Sequence, residues 1–367
     1  MRLPQEIIED IIDCFADDRP MLVTCSLVAK AWSARSRHHL FDAVTLNKER
    51  AMRWCSAICP GPGGPSSLVR TLTLQQKCGS KWLETRFLDA ISGHFSFQYV
   101  ENLFIAWLDL NDFEPGSLVR HFAHYGSSLR SLQLSYLTAD YSTLISFLQL
   151  FPNLEDLLIH TPELSDDNPP LQMSGTGSAS HGWLKLLSFD SVSSPFISHL
   201  AGLNLRLSSI SVYDCEFSHS FPLTNLLEAS SVSLRHLEIE YVTFSQCANV
   251  SLMRCENLRD VIVGVFKEDS PPLLLFSLLS TLSSYRLAQL TIDFVAIPSP
   301  QWPEWKTIDF LLLQMTERCG LRQGPQVLLR IRLAAPGDIV DVRQLLPKYL
   351  DVGPVEMRIN PRQPRGG

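Results

Sequence analysis

Large apolar residues recur along this chain in the hexad L-x-x-L-x-L, where L stands for any large apolar side chain. The hexad begins at Phe41, Val69, Val100, Leu129, Leu154, Leu184, Leu207, Leu234, Leu258, Leu287 and Leu328. Successive starts lie 28, 31, 29, 25, 30, 23, 27, 24, 29 and 41 residues apart. Its second half alternates apolar and polar, which predicts a strand with one buried face. Between hexads, WLETRFLDAISGHF (82–95) and STLISFLQLF (142–151) show helical spacing. The stretch ahead of Phe41 lacks the hexad. It reads as three short helices: one striped by Ile7, Ile8, Ile11, Ile12 and Phe15, a second presenting Leu22, Cys25, Val28 and Ala29, and a third beginning at Trp32. Pro4 and Glu6 suit a first helical turn, and Asp17-Asp18 ahead of Pro20 marks a break and a new start.

Nearly all the hexad intervals lie in or just beyond the ~20–29-residue period of leucine-rich repeats. A single repeat of this kind cannot cover its own apolar face, so neighbours stack and share one elongated core. The expected fold class is α/β: a short three-helix module followed by an irregular leucine-rich-repeat solenoid. The expected domains are 1–46 (helical module), 47–350 (repeats) and 351–367 (a C-terminal strand and a disordered tail). Several hexads extend into a turn position, at Cys215 and Phe217, Val242 and Phe244, Val295 and Ile297. Such repeats usually place Asn or Cys there, and only Cys215 fits, so a regular asparagine ladder is not expected. PGPGGPSS (60–67), DDNPPLQMSGTGSASHG (166–182) and IPSPQWPEW (297–305) interrupt the array, the second as a mobile insertion. PGDIVDVRQLLPKYL (336–350), with Asp338 as N-cap, is a candidate capping helix.

The strings LPQEIIEDII, CSLVAKAW and HHLF stand in that order within the first helices. Together they resemble an F-box, and RSRHHLF resembles the F-box-like domains of mushroom-forming fungi. The likeness covers residues 1 to about 46. It departs at DDRP, where many members carry an Asp-Leu pair before the second helix, so Leu22 takes that leucine's role. The resemblance implies docking to a Skp-type adaptor of a cullin-based ubiquitin ligase. By position, Leu3, Pro4, Ile8, Ile12, Leu22, Cys25, Val28 and Trp32 would supply the adaptor surface or its immediate support. The alternative for these residues is that they only hold the three helices together.

Composition narrows the rest. The net charge is -7, with 45% hydrophobic and 19% charged residues. That balance offers no basic footprint for nucleic acid and argues against general disorder. The longest apolar run, 271–282, is far short of the roughly 20 residues a membrane span needs. The opening MRLPQEIIED is unlike a signal peptide, and nine cysteines without a C-x-x-C pair suit reduced thiols. Cytoplasm or nucleus is the expected compartment. No P-loop, G-x-S-x-G elbow or metal-ligand spacing occurs; Cys55 and Cys59 lack companions, and His38-His39 reads as a solvated or adaptor-facing pair. The expectation is therefore no enzyme, no cofactor and no metal.

A solenoid offers a broad sheet face instead. Positions alternating with the core leucines are Asp156, His160, Asp190, Tyr213, His236, Glu238, Glu240, Asp260 and Asp293, ending with Arg330 and Arg332. Asp190, Tyr213, His236, Glu238, Glu240, Asp260 and Asp293 form a candidate acidic target-binding stripe suited to a basic segment. A merely solvated sheet face is the bland alternative. The whole pattern fits a substrate-recognition subunit, or a repeat scaffold outside any ligase.

Overall fold

A computed structural model describes residues 3–57, 64–76, 83, 88, 97–113, 116–165, 184–192, 194–203, 205–217, 220–240, 242–244, 250–265, 272–294, 302–319, 325–331 and 345–359. The chain forms two compact units, Met1–Asn168 and Pro169–Gly367. Their boundary falls within the Gly/Ser-rich segment at 166–182.

The first unit opens with helices α1 (Gln5–Asp13), α2 (Arg19–Val28) and α3 (Lys30–Asp42). Pro4 fits at the start of α1 because a helix leaves its first N–H groups unbonded anyway. The Asp18 carboxylate caps α2 by accepting from the Met21 N–H at 3.0 Å. Helix α3 starts at Lys30, ahead of the expected Trp32. Ile8 and Ile12, four apart on one face of α1, meet Leu22 and Leu40 in a small core flanked by Phe15, Trp32 and Phe41. Beyond α3, Phe41 packs edge-on against Trp54 of the helix Lys48–Ala57, with ring centroids 5.8 Å apart.

Strands β1 (Ala43–Leu46), β2 (Thr71–Gln75), β3 (Asn102–Ala106), β4 (Ser131–Ser135) and β6 (Asp156–His160) follow. Each pairs with the next, all parallel. Short strands β5 (Thr138–Asp140) and β7 (Glu163–Ser165) form a separate parallel pair. Parallel neighbours need crossover connections, and the helices Ser117–Phe122 and Tyr141–Leu148 lie in two of them. The register stacks Leu72, Leu103, Leu132 and Leu157 in one buried row, and Leu74, Ile105, Leu134 and Ile159 in the next.

The second unit repeats this arrangement. Strands β8 (Leu186–Asp190), β9 (Ser209–Tyr213), β11 (His236–Glu240), β13 (Asp260–Val265), β14 (Gln289–Phe294), β15 (Gln326–Ile331) and β16 (Val355–Ile359) form a parallel ladder. Strands β10 (Glu216–Phe217) and β12 (Thr243–Phe244) pair separately. Helices Ser194–Gly202, Phe221–Ser230, Leu273–Thr281 and Glu304–Arg318 lie between strands. The fold is thus mixed α/β with parallel strands.

Every hexad coincides with a strand, and β16 follows the last of them. The last hexad needs its frame corrected. Val327 and Leu329, not the positions counted from Leu328, stand beside Leu290 and Ile292. The run of apolar residues in QVLLRI allows both frames, and only pairing with β14 chooses between them. Most of 82–95, all of 166–182 and the segment from Pro336 to Gln344 lie outside the described residues, so the expected helices and insertion there are not described.

Side-chain donors join successive strands' leading turns. Asn153 Nδ2 donates to Ser127 O at 3.1 Å, Ser233 Oγ to Leu207 O at 2.8 Å, Asn257 Nδ2 to Val232 O at 2.8 Å, and Ser284 Oγ to Leu258 O at 2.7 Å. These bonds satisfy carbonyls that the strands leave open. A ladder of this kind was not expected from the turn after the hexad, because it sits before the strand.

Candidate binding surfaces

The helical module divides its candidate residues into two groups. Ile8, Ile12, Leu22 and Cys25 are buried, and Trp32 packs partly buried against the same core. These five lie in or against the module's interior. Leu3 and Pro4 are exposed, and Val28 is 63% exposed. The sequence reading missed their exposed apolar company: Ile7 on α1, and Met21, Val23 and Leu27 on α2, with Leu27 81% exposed. Leu27 precedes Val28 at the end of α2, where the helix stops and leaves both side chains uncovered.

One ionic cluster fixes α1 against α3. Arg35 Nε and Nη2 each donate to an Asp13 carboxylate oxygen at 2.6 Å, and His39 Nε2 lies 2.6 Å from Asp13 Oδ1. The hydrogen bonds from Arg35, then from His39, hold the Asp13 carboxyl far below the usual carboxylate range. His39 therefore faces Asp13 and not a solvated surface alone. The Cys55 side chain and all of Cys59 fall outside the described residues.

On the second unit's sheet, the ladder brings the sequence candidates into rows. Asp190 stands beside Tyr213, and Tyr213 beside Glu240. His236 stands beside Asp260. Glu238 accepts hydrogen bonds from the Tyr213 hydroxyl and, at 3.3 Å, from Ser211 Oγ. Burial, and then the bond to Glu238, pushes the Tyr213 phenol up from its usual range. Asp190, Tyr213, His236, Glu238 and Asp260 are half-buried.

Two members of the stripe require correction. Glu240 is 3% exposed and Asp293 1% exposed, so neither lies on an open face. Strand parity places them opposite the core leucines, but parity cannot tell an open face from a covered one. The outward acidic stripe contracts to Asp190, Glu238 and Asp260, with Glu238 already engaged by its neighbours. Asp156 and His160 belong to β6 of the first unit and are half-buried. The Arg330 side chain and Arg332 lie outside the described residues.

A second feature went unread. After several strands the chain turns through one residue with positive φ: Trp107 (63°), Tyr136 (55°), Thr161 (42°), Ser191 (52°) and Asp214 (44°). The N–H groups of Trp107, Tyr136, Ser191 and Asp214 donate to the last carbonyl of the next strand, at 2.8, 2.9, 3.2 and 3.0 Å. This shared bond holds a conformation that L residues otherwise avoid. A buried apolar residue then follows: Leu108, Leu137, Val192 or Cys215. Cys215 Sγ donates to Tyr213 O at 3.1 Å across the turn, and burial pushes its thiol up to about 11. In the first unit the turn residues Trp107 and Tyr136 stack with centroids 4.1 Å apart and planes 8° from parallel, leaving Tyr136 exposed. The signal was the aromatic two positions past the hexad's last apolar residue, in LFIAW and LQLSY.

Among the described residues, no group of three or more His, Cys, Asp or Glu gathers as metal ligands, and no helix is long and apolar enough to cross a membrane. No family model and no curated protein matches the chain. Among solved structures it is similar to a chain in the crystal structure of the yeast Rad7 and Elc1 complex, at 12% identity and a TM-score of 0.36. That likeness covers 89% of this chain and 87% of the other.

Proposed function

We propose that this chain is an F-box-like leucine-rich-repeat protein serving as the substrate-recognition subunit of a cullin-type ubiquitin ligase. The α1–α3 module would dock a Skp-type adaptor, and the repeats, stacked as an irregular solenoid, would hold a target protein. The chain itself would perform no chemistry. Its contribution is positional, since tethering a target near a ubiquitin-charged partner raises the effective concentration of the reacting groups.

The observation that carries the reading is the apolar surface of the module. Ile8, Ile12, Leu22 and Leu40 complete a core of their own, yet Leu3, Ile7, Val23, Leu27 and Val28 remain exposed beside it. Several large apolar side chains left exposed on so short a module suit a protein-binding role. Cytoplasm or nucleus would be the working compartment.

The test is co-purification of the full chain with a Skp-type adaptor. Leu27→Glu with Val28→Glu should abolish capture and leave the circular dichroism spectrum and melting temperature unchanged. Capture that survives both substitutions would remove the proposal. Ile12 and Trp32 are unsuitable for this purpose, because their loss would unfold the module.

A further inference from the structure

The residue immediately before each strand forms a row along the rim of each unit's sheet. In the first unit the row reads Asp42, Arg70, Glu101, Arg130, Glu155, joined by N–H···O bonds of 2.9, 2.8, 2.8 and 2.7 Å from each residue to the one before it. Its charges alternate and pair. Arg70 Nε lies 3.7 Å from the Glu101 carboxylate, and Arg130 Nη1 lies 2.8 Å from that of Glu155. The same row in the second unit reads Lys185, Ser208, Arg235, Arg259, Ala288, joined by equivalent bonds of 2.8, 2.9, 2.7 and 2.8 Å. It contains no acid.

Arg235 and Arg259 therefore sit on adjacent strands, about 4.8 Å apart at the backbone. Both are exposed, and among the described residues neither has an ion-pair partner. Arg206 and Arg286, also exposed, lie in the turns of the same rim. The acids at hand are Glu228, which faces Arg254 at 3.8 Å, exposed Glu256, and half-buried Asp260 on the strand itself. Like charges side by side on neighbouring strands repel, and this cationic row persists in a chain of net charge -7.

We propose that the Arg235–Arg259 row binds an extended, carboxylate-rich segment of a partner protein. The segment's Asp or Glu side chains would supply to these guanidiniums the carboxylates that Glu101 and Glu155 supply in the first unit. The chain's own equivalent row identifies the chemistry: at this position each guanidinium meets a carboxylate from a neighbouring polypeptide strand. Alternate side chains of an extended segment point the same way about 7 Å apart, within reach of two flexible arginines. The inference rests on the reading above only in taking the repeats as a partner-binding face; the adaptor module plays no part in it.

Fluorescence anisotropy of the full chain tests it, with a fluorescein-labelled peptide of alternating Glu and Gly as probe. Saturable binding should weaken about tenfold in Arg235→Glu/Arg259→Glu, as for loss of close charge pairs. It should also weaken between about 50 and 200 mM NaCl, as screened charges require. Arg53→Glu, at an exposed arginine paired with Glu49, should bind as the parent does. Arg235→Gln/Arg259→Gln gives the same reading without charge reversal should the first double variant misfold. Equal binding by the double variants and Arg53→Glu would overturn the proposal. So would clearly tighter binding of a phosphoserine-Gly peptide or a single-stranded RNA oligomer through the same arginines. Adaptor capture measured alongside should not respond to the arginine pair, so loss of one activity never counts against the other.

Discussion

At the scale of single residues, the clearest case is Asp13, which takes two bonds from Arg35 and one contact from His39. Its carboxyl is held well below the unperturbed value of 3.8. A lowered folded-state pKa stabilises the fold fully above the unfolded value and loses that contribution as pH falls through the acid range. Asp13→Asn should therefore lower the melting temperature at pH 7. The gap to the parent should shrink steadily as pH drops below about 4; a gap that stays constant in urea melts down to about pH 2 would contradict this. Ser284 makes a second case. Its buried hydroxyl is 2.7 Å from Leu258 O and 2.8 Å from Glu256 O. Ser284→Ala should cost about 1–3 kcal/mol by leaving buried carbonyls unmet, read from equilibrium unfolding.

At the scale of elements, helices and strands are held by contacts between segments far apart in sequence. The helix Glu304–Arg318 carries buried Asp309, whose carboxylate accepts from the Lys348 and Tyr349 N–H groups at 3.2 and 2.8 Å. Tyr349 in turn donates its hydroxyl to Pro325 O at 2.8 Å. Asp309→Ala should release the turn Tyr349–Asp351, and limited proteolysis should then cut there first. Gly126 shows how closely elements approach. A Cβ there would stand 2.5 Å from Leu150 O, so Gly126→Ala must displace backbone and should destabilise the first unit in a thermal melt. In the module, Ile12→Ala should cost about 2–5 kcal/mol as a core truncation, whereas Leu27→Ala should cost almost nothing. That contrast separates the module's interior from its apolar exterior.

At the scale of the whole molecule, the two units share one local design, a parallel strand followed by a turn and a return segment, but differ in charge. The first neutralises its rim internally, and the second leaves arginines open. Within the second unit, strands β11 and β13 have partners on both sides, while β16 is paired with β15 and ends the ladder. Hydrogen exchange should therefore be slowest in β11 and β13 and faster in β16, since an edge strand frays without opening its neighbours. Uniform protection across the ladder would argue against stability built from neighbour to neighbour.

Periodicity made the strands legible because it is local: every hexad but the last announces its buried face without reference to any other part of the chain. The same holds for the helical trio, whose stripes, proline and capping aspartate all act within a turn or two. Burial of the polar positions is not local. Glu238 and Glu240 share a strand and a side, yet only Glu238 is partly open, since exposure depends on what distant segments cover. Cys25 and Val28 lie one turn apart on α2 and still divide between core and surface, because burial depends on which distant segments pack against each. The residues therefore determined which segments are strands and, except at the ambiguous run QVLLRI, which face seals the interior. Only the assembled ladder decided which charges find partners, because an arginine meets its carboxylate on a neighbouring strand tens of residues away in sequence.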